Sequence, residues 1–182
     1  GFFEVKDILY LFIAFCVIDF GLALIPVFKG PCSLKIASVG TALMAGIVEE
    51  ASMRVLPISI MMRTRLEEKT VTTSIVVSAA FFGLIHASTA AMGAPILTTV
   101  VQVIYAAGMG VFFGALYIRT GNILPVMAVH FLHDFIAFLP DGLTTDAGIM
   151  TGLSVGGIVE NLLMGAAFLA AGIYLIRKPV RA

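Results

Sequence analysis

The stretch ILTTVVQVIYAAGMGVFFGALYI, residues 96 to 118, contains no Asp, Glu, Lys or Arg. A bilayer core about 30 Å thick is crossed by roughly 20 helical residues, whose backbone must satisfy its own hydrogen bonds. The stretch therefore reads as a membrane-spanning helix. Five more apolar segments of this kind lie at about 8–28, 35–62, 71–92, 123–139 and 153–176. Turn-forming or charged residues separate the six: Gly30 and Pro31, the RTRLEEK run at 63–69, Gly93 to Pro95, Thr120 to Asn122, and Pro140 to Gly142. The expected fold is all-α, a polytopic transmembrane bundle of about six helices.

Composition agrees. Of 182 residues, 60% are hydrophobic and 12% charged, with a mean hydropathy of +1.08, whereas soluble domains hold about 45 to 50% apolar residues even counting glycine. No linker or low-complexity tract divides the chain, so residues 1–182 read as one integral membrane domain. There is no initiator Met and no signal-peptide pattern at the start, so the reading allows for upstream residues that this chain lacks. Net charge is zero and no basic surface interleaves with aromatics, so nucleic acid is not an expected partner. Cys16 and Cys32 match neither a disulfide framework nor a metal-ligand spacing.

Alternating the loops between two sides places Lys6, Arg63, Arg65, Lys69, Arg119, Arg177, Lys178 and Arg181 on one face, with only Lys29 and Lys35 on the other. By the positive-inside rule both termini are expected to be cytoplasmic. Small residues four apart, Gly110 with Gly114 and Ala42 with Gly46, suit close helix packing.

Ionisable groups inside membrane helices cost several kcal/mol unless paired or hydrated, which makes each a candidate functional residue. Here they are Asp19, Glu49, Glu50, Arg54, His86, His130, His133, Asp134 and Glu160, a set holding all three histidines of the chain. Residues four apart share a helix face, which pairs Glu50 with Arg54, Phe82 with His86, and His130 with Asp134. Glu49 points about 100° away from Glu50 on an α-helix, so one carboxylate can be held by Arg54 while the other faces a cavity.

The ordered set EEASMR (49–54), FGLIH (82–86) and HFLHD (130–134) resembles the EExxxR, FxxxH and HxxxN/D motifs of the CAAX protease and bacteriocin-processing membrane proteases, also called the ABI family. GALYIRTGNILPVMAVH, residues 114–130, is similar to the link that leads into the family's last motif. The resemblance implies an intramembrane endopeptidase that forms no acyl-enzyme. It implies that Glu49 and His86 activate water, that His130 and Asp134 stabilise the oxyanion, and that Glu50 and Arg54 hold the glutamate helix. Phe82 opens the second motif as a supporting residue. Peptide hydrolysis needs a base for the water and donors for the oxyanion, each worth roughly two to four powers of ten in rate. Asp134 departs from the asparagine of many members, and an ionised carboxylate accepts hydrogen bonds without donating them. Orientation of His130 is then an alternative role for it.

The expected substrate is a peptide or lipidated protein at or within the membrane, reached laterally or from one face among membrane lipids. No cofactor is expected. A zinc protease with Glu49, His86 and His130 as ligands is an alternative, since Glu with two His is a known catalytic zinc set, although HExxH is absent. A non-catalytic proton-coupled transporter or scaffold is a second, weakened by the lack of inverted repeats and of broken helices. Asp19 and Glu160 read first as interhelical or cavity-lining polar residues, and Asp141 and Asp146 as loop residues. His133 carries no assigned role. His86 falls near the outer end of the third helix unless that helix continues through ASTAAM, residues 87–92.

Overall fold

A computed structural model describes residues 5–29, 31–32, 34–63, 68–139 and 152–177. Its helices are α1 (Val5–Lys29), α2 (Ile36–Met62), α3 (Glu68–Ile85), α4 (Ser88–Ala91), α5 (Ile96–Thr120), α6 (Leu124–Ala137) and α7 (Val155–Ile176). The chain is a polytopic helical membrane bundle. Four spans, α2, Thr70–Ala91, α5 and α7, are long and apolar enough to cross a membrane. Within α1, Ile8–Leu22 is a shorter apolar stretch among the described residues, and α6 has only 14 residues, a rise of about 21 Å. Gly30, Arg65, Pro140 to Gly142, Asp146, Lys178 and Arg181 lie outside the described residues.

The breaks have local causes. At Thr120 to Asn122 the chain leaves α5 through Gly121, whose φ of +63° is a left-handed conformation that glycine adopts without a Cβ clash. Its N–H closes on the Tyr117 carbonyl at 2.9 Å. The Asn122 Oδ1 then accepts from the Leu124 N–H at 2.9 Å, and Pro125 in the first turn of α6 needs no N–H partner. Ser154 caps α7 by accepting from the Gly157 N–H at 3.1 Å.

Helix α5 is the hub. Between Ala106 and Leu116 nearly every residue is buried, and its largest interfaces are with α7 and α3. Lipid tails are as apolar as leucine, so helices associate there by close packing, which small residues permit. A Cβ on Gly110 would stand 2.9 Å from the Ala79 Cα of α3, one on Gly172 of α7 would stand 2.8 Å from the Phe112 nitrogen, and Gly108 abuts Gly165. Phe15 of α1 completes the core, with its ring 4.6 Å from Phe112 and 4.1 Å from Phe168.

Two departures from the expected helices bear on function. The segment expected as one helix over 71–92 is interrupted, because α3 ends at Ile85 and His86 and Ala87 form a turn before α4. Helix α2 is continuous over the expected span, yet Ala45–Glu49 and Ala51–Val55 are π-helical, one wide turn on either side of Glu50.

Candidate active site

The EEASMR motif lies within the wide turns of α2. Such π turns carry i→i+5 hydrogen bonds and are rare in proteins, occurring often at functional sites. Nearby hydroxyls serve the carbonyls of this stretch: Ser52 Oγ donates to the Val48 carbonyl at 2.6 Å, and Ser78 Oγ, from α3, donates to the Met53 carbonyl. The helix also approaches α6 closely here. A Cβ on Gly46 would lie 2.7 Å from the Met127 carbonyl, so only glycine lets the motif reach α6 at this distance.

Glu50 and Arg54 are wholly buried. Arg54 Nε stands 3.3 Å from Glu50 Oε2, close enough for an ion pair but outside hydrogen-bond geometry. The guanidinium carbon lies 3.9 Å from the centre of the Phe82 ring, so the cation also rests on the negative face of an aromatic. The other oxygen, Glu50 Oε1, is 2.8 Å from His130 Nδ1. The charge on Glu50 thus joins α2 to α6 as well as to Arg54.

His130 is buried, and its Nε2 faces Asp134 Oδ2 at 3.8 Å, an ion-pair distance too long for a hydrogen bond. The Asp134 side chain is 22% exposed. Phe82 lies between two imidazoles, its ring 5.0 Å from that of His86 and 5.8 Å from that of His130, both edge-on. His86 Nδ1 is 2.7 Å from the Phe82 carbonyl. A carbonyl only accepts, so Nδ1 carries the hydrogen and Nε2 of the neutral ring keeps its lone pair for a proton or a ligand. The turn bearing His86 is tied down by Thr89 Oγ1, which donates to the His86 carbonyl at 2.8 Å and lies 3.2 Å from Gln102 Oε1 of α5.

Glu49 is half-buried and, among the described residues, its carboxylate has no hydrogen bond or ion pair. It lies near enough for its charge to act on Arg54 and His130. All three pairs read from four-residue spacing are in contact, and Glu50, Arg54, Phe82, His86, His130 and Asp134 form one connected cluster from three helices. Among the described residues no three His, Cys, Asp or Glu side chains converge as a metal-binding group, so Glu49, His86 and His130 are not gathered in ligand geometry. A groove of about 430 Å³ lined by Ile58, Met62, Tyr117 and Ile118 opens at the far end of α2 and holds none of the motif residues.

Sequence reasoning assigned Glu50 only to Arg54, and its hold on His130 comes from another helix. It also left His133 without a partner. His133 Nδ1 is 2.9 Å from Asp19 Oδ2 of α1, and its Nε2 is 3.1 Å from the Tyr105 hydroxyl of α5. Asp19, read as an interhelical contact, is one, whereas Glu160 is exposed. The only early signal for the Asp19 pair was an acid and an imidazole inside membrane helices.

No curated protein and no solved structure matches the chain. A family model described as type II CAAX prenyl endopeptidase Rce1-like matches residues 31–136, which hold all three motifs and the wide turns around Glu50. With more than half of its length matched, the chain belongs to the type II CAAX prenyl endopeptidase Rce1-like family of membrane proteases.

Proposed function

We propose that the chain hydrolyses a peptide bond of a lipidated protein or processed peptide at the membrane, with Glu49 as the water-activating base and no metal. In this reading Glu49 and His86 Nε2 share the water's proton as its oxygen attacks the scissile carbonyl. His130, held by Glu50, faces the developing oxyanion. The proton then passes to the leaving amine, so the water is consumed and no covalent intermediate forms. Asp134 orients the His130 ring, and Arg54, resting on Phe82, holds Glu50 in place. Both termini face the cytoplasm, as the loop charges favour.

One observation carries the reading: among the described residues, Glu50 is fixed by Arg54 and His130 while the adjacent Glu49 has no direct partner, and the hydrogen bond of His86 runs through Nδ1 and leaves Nε2 uncommitted. A base has to be free to take a proton, and a supporting carboxylate has to be held. The test is cleavage of a peptide library, with and without a prenylated cysteine, by purified protein and by its Glu49→Ala and His86→Ala variants, each with and without a chelator. Cleavage lost in both variants and indifferent to chelation is the expected result. Equal cleavage by all three proteins would sink the reading, and cleavage abolished by the chelator would move the chemistry to zinc.

A further inference from the structure

His133, Asp19 and Tyr105 form a partly buried polar chain that the proposed reaction leaves unused. Asp19 is 3% exposed, in the middle of an apolar helix. His133 Nδ1 donates to the Asp19 carboxylate, and its Nε2 pairs with the Tyr105 hydroxyl. Among the side chains described on α1, only Phe15 and Asp19 are buried, and they lie four residues apart on one face. Phe15 anchors that face on Phe112 and Phe168, and one turn later Asp19 meets α6.

His130 and His133 are three residues apart, so they occupy neighbouring directions around α6. Each is met by a carboxylate from a different helix, Glu50 of α2 and Asp19 of α1. Helix α6 has little contact with α5 and leans chiefly on α2 and α1. Turning it about its axis would break both pairs together, leaving buried acids and imidazoles without partners.

We infer that Asp19, through His133 and Tyr105, is a positioning residue that sets the rotation of α6 and so aims His130 and Asp134 at the groups on α2 and α3. Asp19 lies upstream of the residues that match the family, so α1 contributes to the site from outside that span. The catalytic meaning rests on the function proposed above, while the mechanical coupling does not.

The chain has three histidines, so the full-length protein labelled with ¹⁵N-histidine in lipid nanodiscs gives a small set of imidazole signals. Asp19→Asn is expected to move the His133 and His130 signals and leave His86 in place. Turnover of a prenylated reporter peptide should fall about 10- to 100-fold at unchanged KM, the scale of a misaimed catalytic group. The exchanged pair, Asp19→His with His133→Asp, should return most of that kcat, which a merely destabilised bundle would not do. A His130 signal that stays fixed while His133 moves overturns the proposal, as does an exchanged pair no better than the single variants. Should Asp19→Asn fail to fold, Tyr105→Phe is read instead, with a smaller His130 shift expected and no shift overturning the proposal. If the wild type cleaves no peptide, the proposed function fails, and the His130 signal still decides whether the positioning exists.

Discussion

Where α5 meets α7 and α3, the helices are joined by missing side chains: Gly108 against Gly165, Gly172 against Phe112, Gly110 against Ala79. Where α6 meets α2 and α1, close packing at Gly46 is joined by carboxylate–imidazole pairs, Glu50 to His130 and Asp19 to His133. Small-residue contacts hold backbones close and leave nothing to titrate or move a proton. Carboxylate and imidazole pairs bind more weakly for their desolvation cost, yet they fix the direction of a reactive group. One side is thus a scaffold for the other, and the family's motifs lie on the charged side or on its border at α3.

The comparison can be broken most decisively at Glu49. Glu49→Ala is expected to lower kcat/KM by about 10² to 10⁴, the range for a lost general base, with the melting temperature in detergent unchanged, because among the described residues its carboxylate has no direct partner. A Glu49→Ala protein that cleaves normally would remove the chemistry from the charged side. Arg54→Met comes next, since stripping one member of a buried ion pair costs about 3 to 5 kcal/mol. Thermal unfolding should reveal that loss, with part of it returned when Glu50→Gln is added. On the scaffold side, Gly108→Leu should cost about 1 to 3 kcal/mol by overpacking against Gly165, while the folded fraction keeps its turnover per molecule. If turnover per folded molecule drops as well, the two sides are not separable. The smallest effect is expected at Thr89→Val, which removes the hydroxyl bond to the His86 carbonyl, worth about 0.5 to 1.5 kcal/mol. Hydrogen exchange at the turn after α3 should rise there with little change in global stability.

Much of this was readable in the amino-acid order because helical spacing is local. Four-residue steps paired Glu50 with Arg54, Phe82 with His86 and His130 with Asp134, and the structure brings each pair into contact. Apolar length placed the helices within a few residues, and the break expected at Thr120 to Asn122 is where α5 ends. Contacts between helices were less legible. Nothing in the spacing of Glu50 and His130, 80 residues apart, or of Asp19 and His133, 114 apart, says that they meet, because the answer depends on how α1, α2 and α6 are rotated. The wide turns of α2 were hidden for another reason: a helix with an extra residue in a turn keeps its apolar composition. The break at His86 was anticipated only as a matter of where the third helix ends.

Those wide turns matter beyond the residues they contain. Each residue above the α-helical count advances the remainder of a helix by about 100°, so everything after Val55 is out of phase with everything before Ala45. The first wide turn can then set Gly46 against α6 while the helix after the second sets Ile58 against Gly114 of α5. A helix of uniform pitch would have to choose between these neighbours. Removing a single residue from the first wide turn, for instance Ile47, would therefore act as a gear change, turning one half of the glutamate helix away from its partners while leaving EEASMR intact.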